Sequence, residues 1–230
     1  MKKLLFFLIV SIFLNASELK VAAAANISYP LNELKAKFEE LYPNIKLVVN
    51  TGASGGFFSQ IKNGAEFDIF MAANMDFVKN LEDFTNNKST PYAKGKLMLF
   101  SPKQKASLDA LKNAECIAIA NPKTAPYGKA ATEVLSKIEN SGKIVQATSI
   151  AATLSQTLSA CDLGFIAASS KQEIKALGYK DENMLIVSDD LYEPILQGMI
   201  ITSKNPDAKV FYDFILSPDA KAIFEKYGYE

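Results

Sequence analysis

The sequence of 230 residues contains no histidine and no arginine, so all 25 of its cationic side chains are lysines. The absence of histidine excludes the usual serine–histidine catalytic pairs and, with only two cysteines present, the usual zinc ligand sets. The absence of arginine removes the guanidinium fork that commonly clamps a carboxylate or phosphate. Any anion bound by this protein must therefore be held by lysine, by hydroxyls or amides, or by backbone N–H groups.

An excess of charge of one sign is also lacking, because 25 acidic residues balance the 25 lysines. Without a basic excess to hold a nucleic-acid backbone, we expect no nucleic-acid partner. The hydrophobic content of 49% and the charged content of 22% are those of an ordinary globular protein. A chain of this length can bury a full core, in one large domain or two small ones.

Beyond the N-terminus, no segment approaches the roughly 20 apolar residues that a transmembrane helix requires. The N-terminus itself has two lysines followed by a short apolar run. This pattern predicts a signal peptide over residues 1–16, cleaved near Ala16, and hence an exported, periplasmic protein. An uncleaved anchor is the alternative, because Leu14 at the −3 position is not small. Cys116 and Cys161 fit an oxidising compartment, and the sequence leaves their pairing open.

The chain is organised around residues 50–61, where a strand rich in β-branched residues leads through the sequence GASGG, at 52–56, into a predicted helix. A strand-to-helix turn exposes unpaired backbone N–H groups and the positive end of the helix dipole. The hydroxyl of Ser54 adds one more donor, and the glycines allow a ligand to approach the backbone closely. The stretch therefore predicts a pocket for a small anion.

Two other interpretations of this stretch stay open. It matches G-x-S-x-G, the nucleophile elbow of hydrolases, which needs a general base to take the serine proton. Because histidine is absent, a hydrolase built on Ser54 would have to use a Ser–Lys variant. Alternatively, Ser54 is a helix N-cap beside turn glycines, with no ligand at all.

Strand patterns alternate with helical patterns along the rest of the chain, which predicts an α/β protein with mainly parallel sheets. A loop is predicted at 86–91, one strand at 94–100, and a helix from about 128 to 138. In such sheets, ligands bind beyond the carboxyl ends of the strands, at helix N-termini. Small or polar residues follow several of the predicted strands, at 26–28, 54–56, 125–128 and 148–150.

From about Leu19 to Tyr229, the chain resembles the periplasmic molybdate-binding proteins of ABC transporters. The resemblance rests on the order and spacing of several segments rather than on any one of them. These segments are VAAAAN at 21–26, GAS at 52–54 with QI at 60–61, GAEFDIFMAA at 64–73, NP at 121–122, LGFI at 163–166 and AIFEKYGY at 222–229.

The resemblance implies a two-domain periplasmic-binding-protein fold of type II, an α/β fold with two crossover hinge strands and a ligand cleft between the domains. Domain 1 is expected to comprise residues 17–97 plus 196–230, and domain 2 residues 98–195. The implied function is that of an extracytoplasmic solute-binding protein, not an enzyme. It would capture molybdate or tungstate and deliver it to an inner-membrane ABC permease. No cofactor is implied, and we expect a monomer.

The resemblance also assigns site residues. Ser54 matches the family's second binding serine, which offers a hydroxyl and a backbone N–H. Asn26 falls where the first binding serine is expected and offers an NH₂ donor in place of a hydroxyl. Tyr127 and Ile150 fall where two backbone N–H donors are expected. Ala167 falls where a tyrosine hydroxyl often reaches the anion, and it has no side-chain donor.

Because Ala167 lacks a hydroxyl, the hypothesis is that Tyr127 or Ser28 supplies one from the other side of the cleft. Asp68 is the nearest acidic candidate, although a carboxylate at a strand end more often binds a neighbouring backbone than a ligand. The alternative functions are a receptor for sulfate or another tetrahedral oxyanion, an exported serine hydrolase using Ser54, and an amino-acid or peptide receptor. The absence of histidine argues against the second, and the absence of arginine against the third.

Overall fold

The computed structural model describes residues 16–230, which form two five-stranded sheets with helices packed against them. The predicted signal peptide, residues 1–16, lies outside the described residues except for its last residue. Within the described part of the chain, no helix is both long and apolar enough to cross a membrane.

The strands are β1 (Ser17–Ala24), β2 (Ile45–Gly52), β3 (Ile69–Ala72), β4 (Thr90–Gly95), β5 (Leu97–Phe100), β6 (Cys116–Ala120), β7 (Lys143–Ala147), β8 (Leu163–Ala167), β9 (Met184–Ile186) and β10 (Ile195–Ile201). The α-helices are α1 (Leu31–Leu41), α2 (Ser54–Lys62), α3 (Met75–Lys79), α4 (Glu82–Thr85), α5 (Pro126–Lys137), α6 (Ile150–Ala160), α7 (Lys171–Ala176), α8 (Asp207–Ile215) and α9 (Pro218–Lys226). Short 3₁₀ turns include Ala25–Ser28, Ala168–Ser170 and Asp189–Leu191.

The strand order is β2-β1-β3-β10-β4 in the first sheet and β7-β6-β8-β5-β9 in the second. The strands that alternate with helices pair in parallel, β1 with β2 and β3, and β6 with β7 and β8. By contrast, β10 is antiparallel to β3 and β4, and β5 is antiparallel to β8 and β9. The prediction of mainly parallel sheets was therefore wrong. The chain enters β5 and β10 directly from the other sheet, with no helical crossover to restore the parallel direction.

The chain first crosses between the sheets where one continuous strand, 94–100, was predicted. Instead β4 ends at Gly95 in the first sheet, and β5 begins at Leu97 in the second. The predicted loop at 86–91 is also shorter than expected, because β4 already begins at Thr90. Packing explains why residue 95, at this crossing, is a glycine: a Cβ atom there would overlap the hydroxyl of Tyr127. The second crossing runs from β9 to β10.

Strand β1 shows how the first sheet is covered on both faces. Leu19 and Val21 pack in a core with Phe38 of α1 and residues of α8 and α9. Ala22 points the other way, into a core with Phe57 of α2 and Val78 of α3. Because both faces are buried, the strand reads as a continuous apolar run rather than an alternating one. The second sheet has the same arrangement, with separate cores on its two faces.

A disulfide joins Cys116, the first residue of β6, to Cys161, which follows the last residue of α6. The pairing that the sequence left open is therefore present. The two cysteines are 45 positions apart in the sequence, and the bridge links them within the second sheet and its helices. It lies at the amino end of β6, the end opposite to the one where parallel strands present ligand sites.

Candidate functional site

Four points at which a strand leads into a helix or turn meet around one small cavity of about 10 Å³. Two come from the first sheet, after β1 and β2, and two from the second, before α5 and α6. The cavity lies at the carboxyl ends of parallel strands, the usual place for a ligand in such sheets. Its lining consists of Ala24, Ala25, Asn26, Gly52, Ala53, Ser54, Ala73, Ala125, Pro126, Tyr127 and Ile150.

The structure brings four of the predicted site residues together in this lining, namely Asn26, Ser54, Tyr127 and Ile150. It places the other two elsewhere. Ser28 lines a separate groove, and its hydroxyl donates to the carbonyl of Ala25 at 2.7 Å. Ala167 is buried at the end of β8 and is not part of the lining. Ser28 is therefore not positioned to supply the hydroxyl that Ala167 lacks.

Ser54 is the first residue of α2 and is almost fully buried. Its Oγ accepts a hydrogen bond from the backbone N–H of Ala73, which follows β3, at 2.9 Å. This bond fixes the oxygen and leaves the hydroxyl proton free to donate. The helix N-cap is Ala53, so the interpretation of Ser54 as a simple N-cap is not supported.

Backbone N–H donors accompany this hydroxyl. Ser54 and Ile150 are the first residues of α2 and α6, and Tyr127 is the second residue of α5. At these positions an N–H group has no acceptor within its own helix. The three helices have nine, twelve and eleven residues, so each contributes the positive end of a helix dipole to the cavity. Two of these helix starts carry residues that favour helix initiation. Pro126 is the first residue of α5, and the Ser149 hydroxyl at the N-cap of α6 accepts a hydrogen bond from the backbone N–H of Ala152 at 3.2 Å.

Asn26 lies at the centre of a buried hydrogen-bond network. Its Nδ2 donates to Oε1 of Gln197 at 3.0 Å and to the hydroxyl of Tyr229 at 2.7 Å. Its backbone carbonyl accepts from the Tyr229 hydroxyl at 3.0 Å and from Oγ of Ser169 at 3.1 Å. Its Oδ1 is fully buried and, within residues 16–230, has no hydrogen-bond partner. The NH₂ group that was expected to face a ligand is thus engaged inside the protein in this orientation.

The Tyr127 hydroxyl belongs to the same network. It accepts a hydrogen bond from Nε2 of Gln197 at 3.3 Å, beside the first crossing between the sheets. Burial raises the pKa of Tyr127 well above its ordinary value, and burial likewise raises the pKa of Tyr229. Both hydroxyls therefore stay protonated and can donate. Gln197 joins the Asn26 side of the cavity to the Tyr127 side.

The lining is electrically neutral, since it includes no lysine and no acidic residue. Asp68 lies in a different groove, where its carboxylate accepts from the backbone N–H of Lys20 at 2.7 Å and the hydroxyl of Ser203 at 2.6 Å. It therefore acts as a structural acceptor, as expected for a strand-end acid. In the described part of the chain, His, Cys, Asp and Glu side chains form no group of three or more that could hold a metal ion.

A serine hydrolase would need a basic group beside Ser54, and no basic side chain lines the cavity. A wider groove elsewhere does contain lysines, between α7 and the C-terminal segment. Those lysines are paired with carboxylates: Lys96 with Glu230 at 2.7 Å, and Lys226 with Glu33 at 2.7 Å. The small neutral cavity is therefore the candidate site.

Sequence reasoning missed three residues at or beside this site: Thr124, Gln197 and Tyr229. Thr124 accepts a hydrogen bond from the backbone N–H of Gly55, across the boundary between the two sheets, at 2.8 Å. Gln197 and Tyr229 lie 171 and 203 positions from Asn26 in the sequence. A single buried glutamine in an apolar strand was the one available signal for Gln197.

Comparison with known proteins places this geometry in a family. The family model of bacterial extracellular solute-binding proteins matches residues 19–230. The molybdate-binding protein ModA of Azotobacter vinelandii is 38% identical over 234 residues, covering 93% of this chain and 90% of the relative. The ModA protein of Rhodobacter capsulatus is 34% identical, with 93% and 88% covered.

A solved structure, the periplasmic molybdate-binding protein of Azotobacter vinelandii, superposes on this chain with a TM-score of 0.80 and 31% identity. The match covers 92% of this chain and 98% of that structure. This likeness confirms the predicted fold class, the α/β periplasmic-binding-protein fold of type II.

Proposed function

The chain belongs to the family of bacterial extracellular solute-binding proteins, and from this premise we propose that it captures molybdate or tungstate and delivers the ion to an ABC permease. The observation that carries the proposal is the neutral cavity in which Ser54 and the first turns of three helices converge. The relatives at 38% and 34% identity, both named molybdate-binding, support the choice of ion.

A cavity of this kind suits a fully deprotonated dianion. Backbone N–H groups at helix starts are donors only, and the Ser54 oxygen already accepts from Ala73, which leaves its proton to donate. Each helix dipole favours a nearby negative charge by about 0.3–1 kcal/mol, rising to about 2 kcal/mol when partly buried. Among the described residues, the lining contains no carboxylate, the group that would most strongly accept the proton of an ion such as hydrogen phosphate. The absence of lysine avoids the cost of desolvating a cation to bind the anion.

The cavity is small, with a volume of about 10 Å³. This size is on the scale of a single water molecule or small ion rather than of an organic solute. An amino acid or peptide would not fit, which agrees with the lack of arginine for its carboxylate.

We propose that Ser54 donates through both its hydroxyl and its N–H, and that Tyr127 and Ile150 donate through their N–H groups. Asn26 completes the set if its side-chain amide rotates by half a turn. The rotation would give the now unpaired Oδ1 a donor in the Tyr229 hydroxyl and turn Nδ2 towards the ligand. The Gln197 amide would have to rotate with it, so that Nε2 faces Asn26 and Oε1 accepts from the Tyr127 hydroxyl. The donor set would then come from both sheets.

We further propose that the predicted domains, 17–97 plus 196–230 and 98–195, act as two lobes that close over the ion. The ion is the only ligand we assign, with no cofactor and no catalytic role for Ser54. The protein would act as a periplasmic monomer that meets its inner-membrane permease transiently. These assignments follow the family, whose members are solute-binding proteins.

Thermal unfolding with a panel of oxyanions tests the function. Molybdate or tungstate at about 1,000 times its dissociation constant should stabilise the protein by roughly 4 kcal/mol. For a chain of this size, that corresponds to a rise of roughly 8–16 °C in the unfolding temperature. Sulfate is the matched control, because it has the same charge and shape but is smaller. If sulfate raised the unfolding temperature and molybdate and tungstate did not, the protein would be a sulfate receptor instead.

A further inference from the structure

One backbone contact joins the two lobes directly beside the cavity. The N–H of Gly55, the second residue of α2, donates to the carbonyl of Thr124 at 2.8 Å. Gly55 belongs to the first lobe, and Thr124 belongs to the second, in the loop before α5. Each is adjacent in sequence to a residue that lines the cavity, Ser54 in one case and Ala125 in the other.

The contact leaves no room for a side chain. A Cβ atom built on Gly55 would lie 2.9 Å from the Cα of Thr124 and 3.2 Å from its Cβ, and 3.1 Å from the ring of Phe77. The nearest of these atoms is backbone, which cannot move aside in the way that the end of a flexible side chain can. The two lobes are thus already in backbone contact here, and they cannot approach more closely at this point.

We infer that Gly55 and Thr124 form a closure stop that fixes the width of the cavity and so selects the size of the oxyanion. The inference rests on the proposed function. Two proposed donors lie close to the stop, Ser54 one residue from Gly55 and Tyr127 three residues from Thr124, so a change of a few tenths of an ångström between the lobes alters their spacing almost directly. An ion that is too small cannot reach the donors of both lobes at once, because the stop prevents further closure.

The stop also explains the assignment of one N–H group. In the first turn of α2, the N–H of Gly55 would otherwise be free to bind the anion. It is engaged by Thr124 instead, so the closed arrangement takes this donor out of the ligand set. Ser54 remains as the donor residue from this turn.

Gly56 provides a matched control in the same turn of the same helix. A Cβ atom on Gly56 would have nothing within 4 Å, in contrast to Gly55. The variants Gly55→Ala and Gly56→Ala therefore add the same methyl group, one between the lobes and one into open space. Alanine has a higher helix propensity than glycine, so both variants should stabilise the helix slightly.

The experiment is calorimetric titration of the wild type and both variants with molybdate, tungstate and sulfate, together with thermal unfolding without ligand. Gly56→Ala should bind molybdate within about twofold of the wild type. Gly55→Ala should bind it at least tenfold more weakly, with a still larger loss for sulfate, because a smaller ion spans the wider gap less well. Its unfolding temperature without ligand should stay close to that of Gly56→Ala.

Small-angle scattering gives a second readout. Saturating molybdate should leave Gly55→Ala with a larger radius of gyration than Gly56→Ala. Equal affinities and equal radii in the two variants would overturn the stop while leaving the proposed function intact. If the wild type bound none of the three oxyanions, the proposed function would fail and the stop with it.

Discussion

Replacing Ser54 by alanine should weaken the binding of molybdate and also destabilise the protein without ligand, for two separate reasons. The first is the loss of a donor to a charged ligand. A hydrogen bond to a charged group contributes roughly 1.5–3 kcal/mol, and 1.4 kcal/mol is a tenfold change in affinity. The dissociation constant for molybdate should therefore rise about ten- to 150-fold.

The second reason is that the serine oxygen is also an acceptor. It takes the backbone N–H of Ala73 at 2.9 Å, and both residues are buried. Without that acceptor, the buried N–H is unsatisfied, at a cost of roughly 1–3 kcal/mol in the free energy of unfolding. In a chain of this length, the unfolding temperature should fall by roughly 2–12 °C.

The two effects are measured independently, by calorimetric titration and by thermal unfolding without ligand. Ser28→Ala is the matched control, because that hydroxyl donates only to the carbonyl of Ala25 and lies outside the cavity lining. It should bind molybdate as the wild type does. A folded Ser54→Ala protein with an affinity within about twofold of the wild type would refute the assignment of Ser54 as a ligand donor.

Three further outcomes are expected. Replacing Cys116 and Cys161 by serine should lower the free energy of unfolding by about 4 kcal/mol in denaturant titrations, from the chain entropy of a loop of 45 residues. Molybdate affinity should persist, and its loss would contradict the placement of the bridge away from the site. The affinity should also be flat between about pH 6 and 9, because Tyr127 is the one titratable residue that the described chain contributes to the lining, and its raised pKa keeps it protonated throughout this range. A tenfold change in calorimetric titrations across that range would show that another ionising group takes part. Tyr127→Phe should change the affinity less than about threefold, since its hydroxyl lies against Gln197 and Gly95 at the crossing between the sheets. A tenfold loss in the same titration would support the hypothesis that this hydroxyl reaches the anion.

The repeated pattern of a strand followed by small polar residues and a helix was enough to predict an α/β protein and a cavity at helix starts, whereas the two-domain fold was implied by the family resemblance. Ser54 and Ile150 could be found in this way, because the signal is local: each residue begins a helix immediately after a strand or its loop. The same rule failed for Ser28. There the 3₁₀ turn from Ala25 to Ser28 directs the hydroxyl back onto its own backbone.

Gln197, Tyr229 and Thr124 could not be predicted, because their contacts depend on how the chain crosses between the sheets. Strand β5 lies within the predicted strand 94–100, but the antiparallel pairing of β5 and β10 was missed for the same reason. A direct crossing carries no periodicity of its own, and the break between Gly95 and Leu97 is hidden within a continuous apolar pattern. The unpaired Oδ1 of Asn26 likewise arises from two partners far away in the sequence.

The neutral lining of the cavity has a practical consequence for chemistry carried out on the molecule. Every primary amine among the side chains belongs to a lysine, and none of the lysines within residues 16–230 borders the cavity. Amine-reactive dyes, cross-linkers and solid supports therefore attach elsewhere and leave the oxyanion's hydrogen-bond donors chemically intact. Covalent coupling through lysine could accordingly turn this protein into an immobilised oxyanion sensor. Lys94 and Lys96, which flank the crossing at Gly95, are the lysines to keep unmodified.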